Sequence, residues 1–539
     1  GILISEDPIT MYSALDLPPK GLPTVQWDMY TAEDLGYEKF DILSQRGIGH
    51  IGDSIKLIAQ NKREKVDIHN IPALKEDPVI PDLLEKGETI GCFYVESPAM
   101  RSLLKKLQCR DYLSLVAASS IIRPGVSSSG MMHEYIRRFH YPEKATYPHP
   151  VLKELLDETF GVMVYQEDVL KVVHHYAGMN LADADILRRA MSGKYRSKTE
   201  MQRIVDKFHE SAAELGRPKD VTQELWRQIE SFSGYSFSKA HSASFAVESY
   251  QSLFLKAYYP LEFMVSVINN FGGYYRSWVY FAEAQRLGGK IATPCINRGS
   301  YLTTLHGDTL IVGFIHIKSL EEKFIKGILR ERQTNGEYAS IQDFMDRIPT
   351  NREQIILLIR SGSFAFTGKT KPELLWEVFG QAPKKAPVAG TKPMFPVAVD
   401  KYELPTLVAG SLEDAYDEME LIGFPVSLTW FSILQSDFRG EIMTKNMEKN
   451  VGKRGRMLGV LLTIKPVRTK KNELMYFASF MDAEGHFFEA VHFPQSLKQY
   501  PFRGNGTYLL LGKIANDFGA YSIEVEKMAK MVLKPDPRG

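Results

Sequence analysis

The chain has 539 residues, 44% hydrophobic and 24% charged, with a formal net charge of +1. Those totals fit a multidomain soluble protein with real cores, and a sum so near zero neither requires nor excludes nucleic acid, since charge patches matter more than totals. Three cysteines (Cys92, Cys109, Cys295) without paired metal spacing argue against a disulfide framework or a structural zinc, and the absence of a signal peptide or a bilayer-length apolar run points to the cytoplasm.

In chain order, residues 1 to about 60 mix strand-like runs with turns. The start, GILISEDPIT, lacks a methionine and reads as a strand already under way, which predicts a fragment or one half of a larger assembly. From 61 to 290 apolar residues recur at three- and four-residue steps, as in VLKELLDETFGVMVYQEDVLKVVHHYAGM, which predicts helices. Residues 291–380 read as short strands followed by small helices. The stretch 381–405 carries five prolines in 25 residues and reads as a linker, and 406–450 as a short helical unit. Within 455–530, five alternating runs (RMLGVLLTIKPV, YFASFMDAEG, FFEAVHF, TYLLLGKI, YSIEVEKM) predict a small barrel of the oligonucleotide-binding type, although a sandwich gives the same alternation. The predicted class is a multidomain α+β chain.

Three stretches carry chemistry. ESFSGYSFSKAHSASFA places Lys239 and His241 among small residues, behind Gly234, Tyr235 and Phe237. A tight turn between helices is one reading; a loop holding a cation and an imidazole against a phosphate is the other. Between 186 and 203, Arg188, Arg189, Lys194, Arg196, Lys198 and Arg203 face a single acid, Glu200, around a Gly193 break. A solvated helix face explains most such runs, whereas arginines beside a glycine turn also suit a polyphosphate. IIRPGVSSSGM sets Arg123 before a Pro-Gly turn and three serines, a candidate groove for a nucleic-acid backbone. Tyr165, Gln166 and Glu167 interrupt an apolar helical pattern, and alone they read best as a helix surface with one buried tyrosine.

The stretches EKFDIL, GCFYVESPAM, ASSIIRPGVSSSGM, FGVMVYQEDVL, ADILRRAMSGK and GYSFSKAHSASFAVESYQSLFLKAYYPLEFM occur in one order and spacing. Together they resemble the alpha subunits of bacterial DNA polymerase III, the C-family replicative polymerases, from Gly1 to about residue 530. The resemblance implies that 1–60 is the end of a palm, with Asp41 the third catalytic aspartate and metal ligand and Lys39 beside the reacting groups. It implies that 61–290 is the fingers, with Arg188, Arg189, Lys194, Lys239 and His241 facing the incoming triphosphate, that 291–380 leads to a degenerate helix-hairpin-helix region, and that 455–530 is the barrel. Arg123, Arg468, Lys470 and Lys471 are the DNA-binding candidates. Template-directed transfer of a nucleotide to a primer 3′-hydroxyl, two Mg2+ ions, primer-template DNA, deoxynucleoside triphosphates, the sliding clamp and other holoenzyme subunits are implied in the same way.

The departures from the family bear on role. The other two aspartates of its P-D-x-D-type motif lie upstream of the equivalent of Gly1, as do the Gly-Ser nucleotide-binding motif and the amino-terminal phosphoesterase-like domain, so the chain alone is expected to be inactive, lacking exonuclease segments, and completed by a longer polypeptide or a separate chain carrying the rest of the palm. Where the family has a glycine-rich hairpin, GFIHIKSLEEKFIKGIL offers Leu320 and Glu321 with Glu322 alongside, which puts duplex binding in doubt. Only Met394 and Phe395 remain of the clamp peptide, and Phe245 stands for the usual tyrosine. Two alternatives stay open: an error-prone paralogue for damage-induced synthesis, and a non-catalytic DNA-binding accessory chain.

Overall fold

The computed structural model describes residues 1–18, 22–40, 45–122, 130–191, 198–231, 238–349, 351–380, 410–469 and 471–539. It divides into two compact units, Gly1–Ile48 and Gly49–Gly539. In the first, β1 (Ile2–Leu3) pairs antiparallel with β4 (Lys39–Phe40), and β2 (Leu15–Asp16) with β3 (Thr24–Val25). Asp28 caps the helix Met29–Asp34 by accepting from the Thr31 amide at 2.7 Å. Tyr12, Trp27 and Tyr37 cluster with ring centroids 5.3–6.2 Å apart, while Ala32 is the unit's one buried apolar side chain among the described residues.

The second unit opens with a helical body centred on the helix Lys239–Tyr258, which packs against Tyr112–Ile121 and Pro260–Asn269. Serines read in the sequence as signs of a loop, yet three of those in the central helix, Ser242, Ser249 and Ser252, lie inside the packing, while Ser244 is exposed. Ser242 is buried with its hydroxyl 2.7 Å from that of Ser120, and the Ser249 hydroxyl donates to the Phe93 and Phe245 carbonyls. Small side chains let the two helices approach closely, and the Ser242 and Ser249 hydroxyls find partners, so burying them costs little, whereas the buried Ser252 hydroxyl has none among the described residues. The helical pattern from Val151 to Met179 is realised as several short pieces. Pro150–Leu156 is followed by a 3-10 turn, by left-handed Phe160 and Gly161, by the helix Gln166–Lys171 and by a π-turn over Val172–Tyr176.

A three-stranded sheet follows, β5 (Lys290–Ala292), β6 (Thr304–His306) and β7 (Thr309–Ile311), with β7 central. After it come the helices Glu322–Asn335, Ile341–Arg347, Arg352–Arg360 and Lys371–Gly380. The helix Ser411–Leu421 is tied to Arg360 and to the chain's last turn: Asp417 lies 2.8 Å from the Arg360 guanidinium and 2.7 Å from that of Arg538.

The last strands, β8 (Arg454–Arg468), β9 (Leu474–Met481), β10 (Phe487–His492), β11 (Thr507–Asp517) and β12 (Ala520–Lys530), close into a barrel in the order β10-β12-β11-β8-β9. Closure excludes the sandwich. With the helix Pro494–Gln499 inserted between the third and fourth strands, this is the oligonucleotide-binding topology. Three of the strands are longer than the alternation predicts, and the pairing shifts register at bulges after Leu461 in β8 and after Leu511 in β11. At the second bulge a Cβ on Gly512 would fall 2.1 Å from the Glu524 carbonyl oxygen, so no other residue fits there.

Candidate nucleotide site and nucleic-acid surfaces

The SKAHS motif starts a helix rather than forming a loop. Ser238 is the N-cap: its hydroxyl accepts from the His241 amide at 3.2 Å, leaving Lys239 and His241 in the first turn. Both lie at the surface, and two elements far upstream hold them. The Lys239 ammonium pairs with Glu158 and stands 5.3 Å from the centre of the Tyr165 ring, while its amide donates to Glu167 Oε2 at 2.9 Å. Tyr165 is buried at the start of the helix Gln166–Lys171, and Asp168 fixes that start by accepting from the Val164 and Tyr165 amides at 2.9 and 3.0 Å. Thus the trio Tyr165, Gln166 and Glu167 includes both a buried ring and a support for the SKAHS turn. The His241 ring lies 4.0 Å from that of Phe245, whose edge contacts Phe93 and Tyr94 at 5.2 and 5.1 Å. This packing places a phenyl ring, with no hydroxyl, against the imidazole.

Arg188 stands on a separate helix, Leu181–Met191. It is half exposed, and its Nε donates to Asp185 Oδ1 at 2.8 Å. Arg203, from the same basic run, is drawn toward buried Asp183 at 3.8 Å, which also pairs with Lys207. The run is therefore partly neutralised by acids that precede it, Asp183 and Asp185. The side chains of Arg189, Lys198 and Lys39, and the whole of Asp41, Arg123, Lys194, Arg196, Lys470, Met394 and Phe395, lie outside the described residues, as do Gly234, Tyr235 and Phe237. For Lys39 the backbone position is given, in β4 opposite Leu3.

At the hairpin before the helix Glu322–Asn335, Ser319 adopts φ 63°, a left-handed conformation that glycine takes without strain. The amides a glycine-rich hairpin would offer to phosphate are used internally. Glu321 N–H donates to Gln354 Oε1 at 2.9 Å, Gln354 Nε2 donates back to the Ser319 carbonyl at 3.1 Å, and Lys318 N–H donates to the Leu421 carbonyl at 2.9 Å. Sequence reasoning found the missing glycines but not Gln354, whose partnership no local spacing signals.

Comparison with known proteins fits this geometry. Residues 48–216 match the model of the bacterial DNA polymerase III alpha subunit finger domain, and 288–374 that of a helix-hairpin-helix motif. DNA polymerase III subunit alpha of Aquifex aeolicus is 30% identical over 502 residues, 92% of this chain and 42% of that protein. The Staphylococcus epidermidis subunit is 30% identical over 522 residues (95% and 48%), and the Thermus aquaticus subunit 32% over 372 (67% and 30%). The chain belongs to the bacterial DNA polymerase III alpha-subunit family. It spans less than half the length of these relatives.

In the family's barrel, the aromatic side chains sort by strand register. Phe477 and Phe493 are each 43% exposed, Tyr476 is half-buried against Phe502, and Phe487 is buried with the Arg101 guanidinium 5.0 Å from its ring centre. Phe487 is therefore not a platform for a base. Arg468 is exposed on the β8–β9 turn, where its Nη1 donates to the Asn472 carbonyl at 3.0 Å, and Lys471 is exposed beside it. Among the described residues no cluster of three His, Cys, Asp or Glu side chains could hold a metal ion, and no helix is long and apolar enough to cross a membrane.

Proposed function

We propose that this chain supplies the fingers and barrel of a template-directed DNA polymerase, and that the first turn of the Lys239–Tyr258 helix binds the incoming deoxynucleoside triphosphate. The observation that carries the reading is the exposed pairing of Lys239 with Glu158 beside His241, inside the same chain that matches the finger-domain model. An exposed ion pair is worth little in water, so a polyphosphate that offers several charges can take Lys239 from Glu158 at small cost. Arg188, Arg189 and Lys194 complete the cationic face in this reading, and residues 61–290 form the fingers.

The reaction joins the primer 3′-oxygen to the α-phosphorus and breaks its bond to the bridging oxygen of pyrophosphate. Lysine and arginine donors then stabilise the charge that gathers on the leaving group. Asp41, with Lys39 close by in sequence, is the chain's proposed carboxylate at the reacting end. Asp41 is the residue of this chain that would hold Mg2+, which would there lower the charge on the phosphoryl oxygens. Primer-template DNA, the sliding clamp and further holoenzyme subunits are the proposed partners. The internal use of the Glu321 amide favours duplex contacts outside the hairpin.

The test is primer extension by a full-length alpha subunit that contains this sequence. Asp41→Asn keeps shape and removes charge, so extension should fall by orders of magnitude while DNA binding persists. Extension near the wild-type rate would reject Asp41 as a ligand.

A further inference from the structure

Between the helix Pro98–Leu107 of the helical body and the barrel lies a small, partly open cavity of about 120 Å³. Arg101, Ser102 and Lys105 line it from the helix, Glu489 from β10, and Thr444 from the segment that leads into the barrel. Two cations thus face one carboxylate. That carboxylate is already engaged, for Glu489 Oε2 accepts from the Ser479 hydroxyl at 2.7 Å. Arg101 is held in place by donation from Nε to the Gly87 carbonyl at 2.8 Å and by the Phe487 ring. Burial, and then the nearby Arg101, hold the Lys105 ammonium down to about 8, against the opposite pull of Glu489 and Glu88. Among the described residues no carboxylate forms an ion pair with Lys105, and buried Thr444 Oγ1 has no hydrogen-bond partner. The Thr444 amide donates to Asp482 Oδ2 at 3.0 Å, so the orphan is the hydroxyl alone.

A cavity that gathers an excess positive charge, one cation buried and one half-buried, beside an unpaired buried hydroxyl is costly when empty. A water needs roughly 10–15 Å³ of such space, so this one holds several waters or one tetrahedral anion. We propose that the cavity binds a single phosphate-class oxyanion, which bridges Lys105 and Arg101 of the helix to the Thr444 hydroxyl and fastens the barrel to the helical body. Such an anion could arrive free or as a phosphodiester of bound DNA. So small a cavity, only partly open, favours the free ion, because a strand needs a path for its neighbouring nucleotides.

Thermal unfolding of the whole chain distinguishes these cases. Inorganic phosphate, titrated at constant ionic strength against sodium chloride, should raise Tm along a saturating curve, as any ligand of the folded state does. Lys105→Met should weaken the apparent affinity about tenfold or more, while Lys105→Arg keeps it and Thr444→Val lies between. If Lys105→Met fails to fold, the ordering of the wild type, Lys105→Arg and Thr444→Val decides alone. A phosphate response absent from the wild type, or equal in wild type and Lys105→Met, overturns the proposal. A Lys105-dependent response to a single-stranded oligonucleotide but not to orthophosphate overturns the free-ion assignment.

Discussion

The two ends of the Lys239–Tyr258 helix carry the same charge in opposite settings. At the carboxyl end Lys256 is 1% exposed and Glu283 0%. The ammonium donates to Glu283 Oε1 and to the Ile90 carbonyl, both at 2.7 Å, while Arg286 grips the same carboxylate through Nε and Nη2 at 2.8 and 2.9 Å. At the amino end Lys239 and Glu158 are 36% and 55% exposed. Away from water an ion pair becomes part of the architecture, because either partner alone would be stranded. In water a pair of the same residues is nearly free to exchange, which is what a ligand site requires.

The sharpest way to break this comparison is to remove one lysine at a time. Lys256→Met should cost about 3–5 kcal/mol, since Glu283 keeps only Arg286, whereas Lys239→Met should cost less than about 1 kcal/mol. Urea unfolding of the two variants measures the gap, and equal losses would refute the distinction. The acid limb follows from Glu283. Burial pushes its carboxyl up, but Lys256 and Arg286 outweigh burial and hold it below the ordinary carboxylate value. Its contribution is therefore complete above the unfolded value near about 4.3 and is lost as pH falls through the lower folded one.

Midway along the same helix, Glu248 sharpens the contrast with opposite sign. It is 8% exposed, its Oε1 has no partner among the described residues, and burial pushes its carboxyl up to about 7. A raised carboxyl favours the protonated folded state, so stability falls as pH rises from the unfolded value toward 7 and stays lower above it. Glu248→Gln should stabilise the protein by on the order of 2 kcal/mol at pH 8 and leave it unchanged near pH 4. Equal melting of the two proteins at pH 8 would show that the carboxylate is solvated.

At the amino end, the proposed nucleotide site, the expected effect is on binding. Arg188→Ala, Lys239→Ala and His241→Ala should each raise the Michaelis constant for nucleotide, or lower turnover, about ten- to a hundredfold in the full-length enzyme. Their melting temperatures should move far less than that of Lys256→Met. Wild-type nucleotide kinetics in all three, with lowered melting instead, would make them helix caps and nothing more.

How much of this was legible in sequence depended on the range of the cause. The barrel was, because alternation is local: Ala478 and Phe480 turn inward and Phe477 outward along one strand. The SKAHS stretch was misread as structure. Serine both breaks and caps helices, and only the partner Ser120, 122 residues away in sequence, shows that Ser242 belongs inside a packed helix. Glu158 and Glu167 were invisible as partners of Lys239 for the same reason, as was Gln354 beneath the hairpin. The breaks around Phe160 hid behind an apolar period that several short turns reproduce as well as one long helix does.

The smallest expected effect concerns charges that have no buried counterpart. On the β8–β9 turn Arg468 is tied to Asn472, whose φ of 61° bends the chain, and Lys471 is exposed. Lys470 adjoins them in sequence. If these three meet single-stranded DNA, each neutralised phosphate releases counterions, and the logarithmic salt slope carries about 0.7 per contact. Changing Arg468, Lys470 and Lys471 to Ala in the whole chain should thus flatten the slope by about 2 at most. Phe477→Ala should instead weaken binding at every salt concentration with the slope intact, since stacking on an exposed ring releases no ions. An unchanged slope in the triple variant would mean that the turn's cations face only water, and that the barrel serves the polymerase as a packed module rather than as a grip on the strand.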